Sequence, residues 1–183
     1  MKIRSFIAVN LPLETKKELK KGVEKIKKEI KTGVKWVEAE NFHLTLHFLG
    51  ELEVEEIQKV KDILRKTVVL KEIKLKIGQT GCFPHRNSPQ IMFFKCYEVE
   101  SNYLTEFQER IGNELKKSGF EVDERPWQMH LTFGRVKTPI KIPDSLNKKM
   151  ETKEFLIKSI DLMKSELQPS GPVYTILKQY PII

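Results

Sequence analysis

A four-residue pattern that occurs twice constrains this 183-residue chain more than any other feature. The pattern is histidine, hydrophobic, threonine, hydrophobic, and it stands at His43–Leu46 and at His130–Phe133. The first copy begins forty residues after Ile3 (43 − 3), and the second begins thirty-nine after Ile91 (130 − 91). Such self-similarity predicts one domain built of two pseudo-repeats, about residues 1–89 and 90–183.

Each copy lies in a segment that favours a β-strand, in which alternate side chains share a face. The histidine and threonine of a copy then point the same way, about 7 Å apart. The hydrophobic residues between them point into a core. Polar side chains on an inner strand need partners, so their face is expected to line a cleft. Two such strands related by an approximate twofold would gather two histidines and two threonines around one small space.

The rest of the chain predicts alternating strands and helices. In the first half we expect strands at 3–9, 34–37, 43–49 and 73–77, helices from Pro12 to Gly33 and from Glu51 to Val68, and a loop at 78–89. In the second half we expect strands at 90–97, 129–136, 155–167 and 173–180, a helix from Ser101 to Gly119, and a short helix at 143–150. The helices follow from apolar residues at spacings of three and four, and the strands from short β-favouring runs.

Composition narrows the class of protein. The formal net charge is +8, from 33 basic and 25 acidic residues, which favours polyanionic partners such as nucleic acid. The basic residues are mostly lysine, and enrichment in lysine and glutamate is also a thermophile signature. No run of eighteen apolar residues occurs, and the start of the chain favours a strand over an export signal. We therefore expect a cytoplasmic monomer with no membrane contact, in which Cys82 and Cys96 are free thiols.

Two imidazoles in one cleft can serve as base and acid near neutral pH, and two threonine hydroxyls can donate to anionic oxygens. This set fits phosphoryl transfer at an ester. Acyl transfer is disfavoured because neither copy has a nucleophile elbow, and nucleotide hydrolysis because no phosphate-cradling glycine-rich loop is present. A metal site at His43, His47 and His130 is disfavoured because no carboxylate or cysteine has ligand spacing with them.

The paired motifs, read as His43–Gly50 and His130–Arg135, resemble the two-histidine phosphoesterase superfamily. Within it they are similar to the RNA 2′,3′-cyclic phosphodiesterases, also called 2′-5′ RNA ligases, as are the segments at Asn10–Pro12, around Trp36 and at Gly81–Pro84. The resemblance implies an α+β, bilobal, pseudo-twofold fold, in which two lobes with antiparallel sheets flank a central cleft and helices lie outside. It also implies hydrolysis of a terminal RNA 2′,3′-cyclic phosphate to a 2′-phosphate, with neither metal nor cofactor.

The resemblance further implies roles for single residues. His43 would be the proton donor and His130 the proton acceptor, although the sequence offers no reason to prefer that order. Thr45 and Thr132 would hold the phosphoryl oxygens. Arg135 would join them if a bulge at Gly134 turned it away from the face that strict alternation gives it.

Other residues have weaker claims. Phe83 and Trp36 are candidates to stack on a base. Trp127 is expected in the core, His47 at the rim of the cleft, and His85 in an exposed loop. Two functions compete with hydrolysis. One is ligation of RNA halves through a 2′-5′ link by the same residues, and the other is a module that binds RNA ends without turnover. A matched pair of histidines argues against the module, because binding alone needs no acid and base.

Overall fold

A computed structural model describes residues 2–68, 72–143, 146, 152–169 and 171–182. Its strands are β1 Ile3–Asn10, β2 Val34–Trp36, β3 His43–Leu52, β4 Ile73–His85, β5 Ser88–Val99, β6 His130–Val136, β7 Phe155–Ile157, β8 Ser159–Gln168 and β9 Gly171–Pro181. Its helices are α1 Leu13–Glu29, α2 Val54–Thr67 and α3 Tyr103–Lys117. A short 3-10 turn at Ala39–Asn41 leads into β3.

The strands form two antiparallel sheets. The first sheet has the order β3-β1-β8-β9, and the second has the order β2-β6-β5-β4-β7. In each sheet the strand that carries a histidine–threonine motif pairs with a strand from before the preceding helix. Strand β3 pairs with β1, across α1 in the sequence, and β6 pairs with β5, across α3. The predicted α+β class with two antiparallel sheets is confirmed.

The two sheets do not coincide with the two halves of the sequence. Strands β8 and β9, from the end of the chain, complete the sheet that β1 and β3 begin. Strand β4 of the first half pairs with β5 of the second. The halves therefore share both sheets, and their status as pseudo-repeats of one domain stays a prediction.

The prediction of a loop at residues 78–89 is wrong, because β4 and β5 continue through this segment as a long hairpin. A glycine such as Gly81 is typical of a loop, but here it allows the two paired strands to pack closely. A Cβ there would lie 2.6 Å from the ring of Phe93 on the paired strand. The segment predicted as one strand at 155–167 divides into β7, which pairs with β4, and β8, which pairs with β1. The helix predicted at 143–150 lies largely outside the described residues.

Two helix boundaries differ from the prediction. Helix α1 ends at Glu29, four residues before Gly33. Helix α3 begins at Tyr103, and the carboxylate of Glu98 accepts hydrogen bonds from the backbone N–H groups of Leu104 and Thr105, at 2.6 and 3.0 Å. The predicted cap, Ser101, does not take this role, because Glu98 on β5 reaches the same donors of the first turn.

Each helix buries one apolar stripe and exposes a charged face. The hydrophobic residues of both motifs, Leu44, Leu46, Leu131 and Phe133, are at most 3% exposed and belong to the main core. A separate apolar cluster of Phe6, Ala8 and Met163, with Tyr174 packed against it, lies in the first sheet. The core therefore anchors the buried side of both motif strands, and their polar side is left free to line a cleft.

Candidate active site

His43, Thr45, His130 and Thr132 line one cleft of about 660 Å³. Each is partly buried, whereas the hydrophobic residues between them are fully buried. The alternation predicted from the sequence therefore holds across each four-residue motif. The structure brings both histidines and both threonines together, as the sequence predicts.

The two histidines are oriented by the same local hydrogen bond. Nδ1 of His43 lies 2.7 Å from the carbonyl oxygen of Asn41, and Nδ1 of His130 lies 2.7 Å from that of Gln128. A carbonyl oxygen only accepts, so each Nδ1 carries the hydrogen and donates it. The neutral form of each ring therefore has its lone pair on Nε2, the atom available for proton transfer.

Aromatic rings hold both imidazoles. The ring centroid of His43 lies 5.0 Å from Phe6 and 5.0 Å from Tyr174. The ring of His130 lies 5.1 Å from Phe83 and 5.3 Å from Phe93. These contacts limit rotation of the imidazoles and exclude water from part of each ring.

Burial lowers the pKa of both histidines. For His43 the loss of solvation lowers the pKa to about 4, the bond to Asn41 opposes the shift, and the charges of Lys16 and Arg135 add to it. For His130 burial also lowers the pKa, and Arg135 contributes in the same direction. Burial therefore favours the neutral form of both rings in the free protein, and an anion in the cleft would favour their protonated forms.

A β-bulge lies at the last residue of each motif. In β3, Thr45 pairs with Ala8 and His47 pairs with Ile7, so Leu46 is the extra residue. In β6, Thr132 pairs with Phe93 and Gly134 pairs with Met92, so Phe133 is the extra residue. Each bulge reverses the alternation, and residues beyond it exchange faces.

The bulge in β3 makes the prediction for His47 wrong. In a regular strand His47 would share the cleft face of Thr45, but it is 5% exposed and lies on the core side. Its Nε2 lies 2.8 Å from the carbonyl oxygen of Gln108 on α3 and donates to it. Phe48 takes the cleft face instead and is 63% exposed.

The bulge in β6 places Arg135 in the cleft, as the expected turn near Gly134 required. Gly134 suits this site because a Cβ would lie 2.7 Å from Cε of Met92 and 3.1 Å from Cγ1 of Val34. Other basic residues of the cleft were not singled out from the sequence; they are Arg4, Lys35 and Lys137. Glu38 is the one acidic residue among the described residues that line the cleft, so the site favours anions.

The two predicted stacking residues already contact other groups. Trp36 lines the cleft, but its ring stacks on Phe133 with centroids 6.4 Å apart, and Nζ of Lys27 lies 5.8 Å from its centroid. Phe83 stacks on Phe93 at 4.2 Å and meets His130 edge-on. Phe83 therefore contacts a catalytic candidate directly, and stacking of a base on either residue stays a prediction.

Three further predictions concern Trp127, His85 and the two cysteines. Trp127 is partly buried against the core, and its Nε1–H donates to the carbonyl oxygen of Thr45 at 3.0 Å, which ties the chain before β6 to β3. His85 is exposed at the end of β4. Cys82 and Cys96 are free thiols.

Among residues 2–68, 72–143, 146, 152–169 and 171–182, no group of three or more histidine, cysteine, aspartate or glutamate side chains is arranged to hold a metal ion. None of the helices within those ranges combines the length and the hydropathy that a bilayer-spanning segment needs.

Comparison with known proteins gives a consistent result. The family model described as LigT like Phosphoesterase matches residues 10–93 and 98–174. The RNA 2′,3′-cyclic phosphodiesterase of Methanocaldococcus jannaschii is 36% identical over 97% of this chain and all of its own length. The protein of the same name from Thermotoga maritima is 31% identical over 96% of this chain and 93% of its own length.

Solved structures agree with this result. The crystal structure of TT0787 of Thermus thermophilus superposes with a TM-score of 0.82 at 27% identity and covers 98% of both chains. E. coli LigT complexed with 3′-AMP superposes with a TM-score of 0.79 at 19% identity, over 100% of this chain and 99% of that one, which shows a shared fold. The family model matches most of this chain, and the two named relatives are 36% and 31% identical to it over nearly its whole length. The chain therefore belongs to the LigT-like phosphoesterase family.

Proposed function

We propose that this protein hydrolyses a 2′,3′-cyclic phosphate at the end of an RNA to a 2′-phosphate. The observation that carries the proposal is the cleft itself, which is lined by two histidines, two threonines and Arg135 and in which the lone pair of each neutral imidazole lies on Nε2. Opening the ring requires a base for the attacking water and an acid for the departing 3′ oxygen. Curated relatives at 31–36% identity carry the name of this activity.

The threonines and the arginine have a separate task from the histidines. A cyclic phosphodiester is an anion, and its charge increases on the non-bridging oxygens as water adds. Hydroxyl groups of Thr45 and Thr132 and the guanidinium of Arg135 would donate to these oxygens. Donors held in place before the reaction stabilise that charge without reorganising.

We assign His130 as the proton acceptor and His43 as the proton donor. His130 is the more exposed of the two, which suits the side from which water enters. His43 is enclosed by Phe6 and Tyr174, and a low pKa makes its imidazolium a strong acid once the bound phosphate has favoured protonation. Taken alone, the low pKa of His43 favours the reverse assignment, because a group with a low pKa stays unprotonated and able to act as a base.

A direct experiment tests the reaction. The protein is incubated with an RNA oligonucleotide that ends in a 2′,3′-cyclic phosphate, and the product is identified as a 2′-phosphate or a 3′-phosphate. Formation of the 2′-phosphate supports the proposal, and formation of the 3′-phosphate would reverse the roles of the two ribose oxygens. A second oligonucleotide with a 5′-hydroxyl reports ligation as a joined product with a 2′-5′ link.

The roles of the histidines are separated by the leaving group. A substrate with a nitrophenolate leaving group needs no proton donor, because nitrophenolate departs as an anion. On this substrate one alanine variant recovers activity and the other does not. Recovery by His43→Ala supports the assignment, and recovery by His130→Ala reverses it.

A further inference from the structure

The carbonyl oxygen that orients His43 belongs to the short 3-10 turn before β3, and two side chains hold this turn. Nζ of Lys16 on α1 donates to the carbonyl oxygen of Glu40 at 2.7 Å. The side-chain amide of Asn41 donates to the carbonyl oxygen of Pro172, near the start of β9, at 3.2 Å. The turn is therefore fastened to α1 on one side and to the first sheet on the other, directly before the strand that carries His43.

Lys16 differs from its neighbour Lys17, because its side chain is turned inward. Burial lowers the pKa of the half-buried Lys16, and the carboxylates of Glu40 and Asp161 oppose that shift. Lys17 is exposed and pairs with Glu14 on the surface of the same helix at 3.2 Å. The two carboxylates near Lys16 favour its charged form, and so help to keep the ammonium beside the turn.

Asp161 supplies a buried negative charge to this region. It is fully buried on β8, two strands from β3 in the first sheet. Its Oδ2 accepts from the side-chain amide of Asn10 at 2.7 Å, and its Oδ1 has no hydrogen-bond partner among the described residues. Asn10 is the cross-strand partner of His43. The charge of Asp161 therefore attracts the ammonium of Lys16 inward, toward the side of the molecule where His43 lies.

We propose that Lys16 is a positioning residue for His43, and that it acts by fixing the turn that carries the Asn41 carbonyl oxygen. The inference rests on the proposed function. Lys16 is not one of the described residues that line the cleft, so it acts through the turn and not on the substrate. With Glu40 held, the next residue presents its carbonyl oxygen 2.7 Å from Nδ1 of His43. That bond keeps the hydrogen of the neutral ring on Nδ1 and the lone pair on Nε2.

The charge of Lys16 also acts on His43, and the two effects can be separated. Burial is the main cause of the lowered pKa of His43; the bond to Asn41 opposes the shift, and the charge of Lys16 adds to it. Loss of Lys16 would therefore change this pKa in two opposite directions. The tautomer of the neutral ring depends directly on the hydrogen bond at Nδ1, so the tautomer is the better readout.

The tautomer is measured by ¹⁵N NMR of histidine-labelled protein at a pH well above 6.5, where imidazoles are neutral. The chain has four histidines, and the spectrum of His43→Ala identifies the signals of His43. The test variants are Lys16→Met, which removes the ammonium, and Lys16→Arg, which keeps a cation that donates. Lys17→Met removes the exposed neighbour on the same helix and is the matched control. Lys16→Gln is a second neutral variant in case Lys16→Met does not fold.

In Lys16→Met we expect the two ¹⁵N shifts of His43 to approach each other, because the ring then exchanges between its neutral tautomers. The shifts of His130 should stay, since its acceptor is the carbonyl oxygen of Gln128 in another segment. Lys16→Arg and Lys17→Met should give the wild-type spectrum.

Turnover should change in parallel with the tautomer. With an RNA oligonucleotide that ends in a 2′,3′-cyclic phosphate, kcat of Lys16→Met should fall about 10- to 100-fold, as is typical when a group that orients a catalytic side chain is lost. KM and inhibition by inorganic phosphate should change little, because Lys16 does not line the cleft. Lys16→Arg should restore kcat, and Lys17→Met should not alter it.

The outcomes separate this inference from the proposed function. Unchanged ¹⁵N shifts in a folded neutral variant of Lys16, or changed shifts with an unchanged kcat, would overturn the inference and leave the hydrolase proposal in place. A higher KM and weaker phosphate inhibition with an unchanged tautomer would show that Lys16 only attracts the anion. Failure of both neutral variants to fold would assign Lys16 to stability instead. If the wild type hydrolyses no cyclic phosphate, the proposed function fails, while the ¹⁵N shifts still decide whether Lys16 fixes the ring of His43.

Discussion

The imidazoles of His43 and His130 are held by equivalent hydrogen bonds. In each, Nδ1 donates to the carbonyl oxygen of the residue two positions earlier, at 2.7 Å. The group that accepts from each Nδ1–H is therefore a backbone carbonyl and not a carboxylate. A carbonyl sets the tautomer without adding the full negative charge by which a carboxylate would raise the pKa. Burial therefore lowers the pKa of each ring. In each neutral ring the lone pair therefore lies on Nε2, and an anion bound in the cleft would favour protonation there.

Removal of either histidine should abolish most hydrolysis of the cyclic phosphate. General acid–base assistance is worth about 10²- to 10⁴-fold per group, so His43→Ala and His130→Ala should each lower kcat/KM by that amount. Acid and base act in one displacement, so the double variant should be little worse than the poorer single variant. Equal full activity of both single variants would end the catalytic interpretation.

The pH dependence should reflect the lowered pKa values. The proton donor must be protonated, and that fraction falls tenfold for each pH unit above its pKa. Since burial places the pKa of both histidines below 6.5, the alkaline limb of kcat/KM should lie below pH 6.5. Bound phosphate favours the imidazolium, so the alkaline limb of kcat should lie at a higher pH. Coincident limbs for kcat and kcat/KM would show that the anion does not act on the pair.

The threonine variants should be less impaired than the histidine variants. Each hydroxyl offers one hydrogen bond to a charged oxygen, worth about 1.5–3 kcal/mol. Thr45→Ala and Thr132→Ala should therefore lose about 10- to 150-fold in kcat/KM. Thr45→Ser and Thr132→Ser retain the hydroxyl and serve as matched controls. A threonine variant as inactive as His43→Ala would assign that hydroxyl a larger part in the reaction.

Substitution of His47 should affect stability and leave chemistry nearly intact. Its imidazole is buried and donates to the Gln108 carbonyl oxygen across the contact between β3 and α3. His47→Ala removes that bond and leaves a cavity, so the free energy of unfolding should fall by about 1–3 kcal/mol. Urea denaturation measures the loss, and kcat at a temperature where the variant is folded should stay near the wild-type value. A loss of kcat comparable with that of His43→Ala would place His47 in the reaction.

Turnover should be insensitive to chelators. The side chains that the proposed reaction would use are imidazoles, hydroxyls and a guanidinium, and this set suits an anion better than a divalent cation. Hydrolysis is measured after dialysis against excess chelator and again after addition of Mg²⁺, Mn²⁺ or Zn²⁺. Loss of activity that a divalent ion restores would contradict this expectation.

The sequence by itself determined the content of the site. Strict alternation over four residues is enough to put His43 with Thr45, and His130 with Thr132, on one face of a strand, because neighbouring side chains there have no other direction to take. The repetition of the motif indicated two such strands around one space. Apolar spacings of three and four were likewise sufficient to locate α1, α2 and α3, although not their ends.

Tertiary structure decided what lies beside those four residues. A bulge depends on how two paired strands fit, so the strand sequence alone could not show that His47 turns to the core while Phe48 and Arg135 turn to the cleft. The pairing of β8 with β1 and of β4 with β5 depends on contacts between distant segments, which local patterns do not encode. The low pKa of His43 likewise arises from burial by Phe6 and Tyr174, which lie far from it along the chain and meet it only in the folded protein.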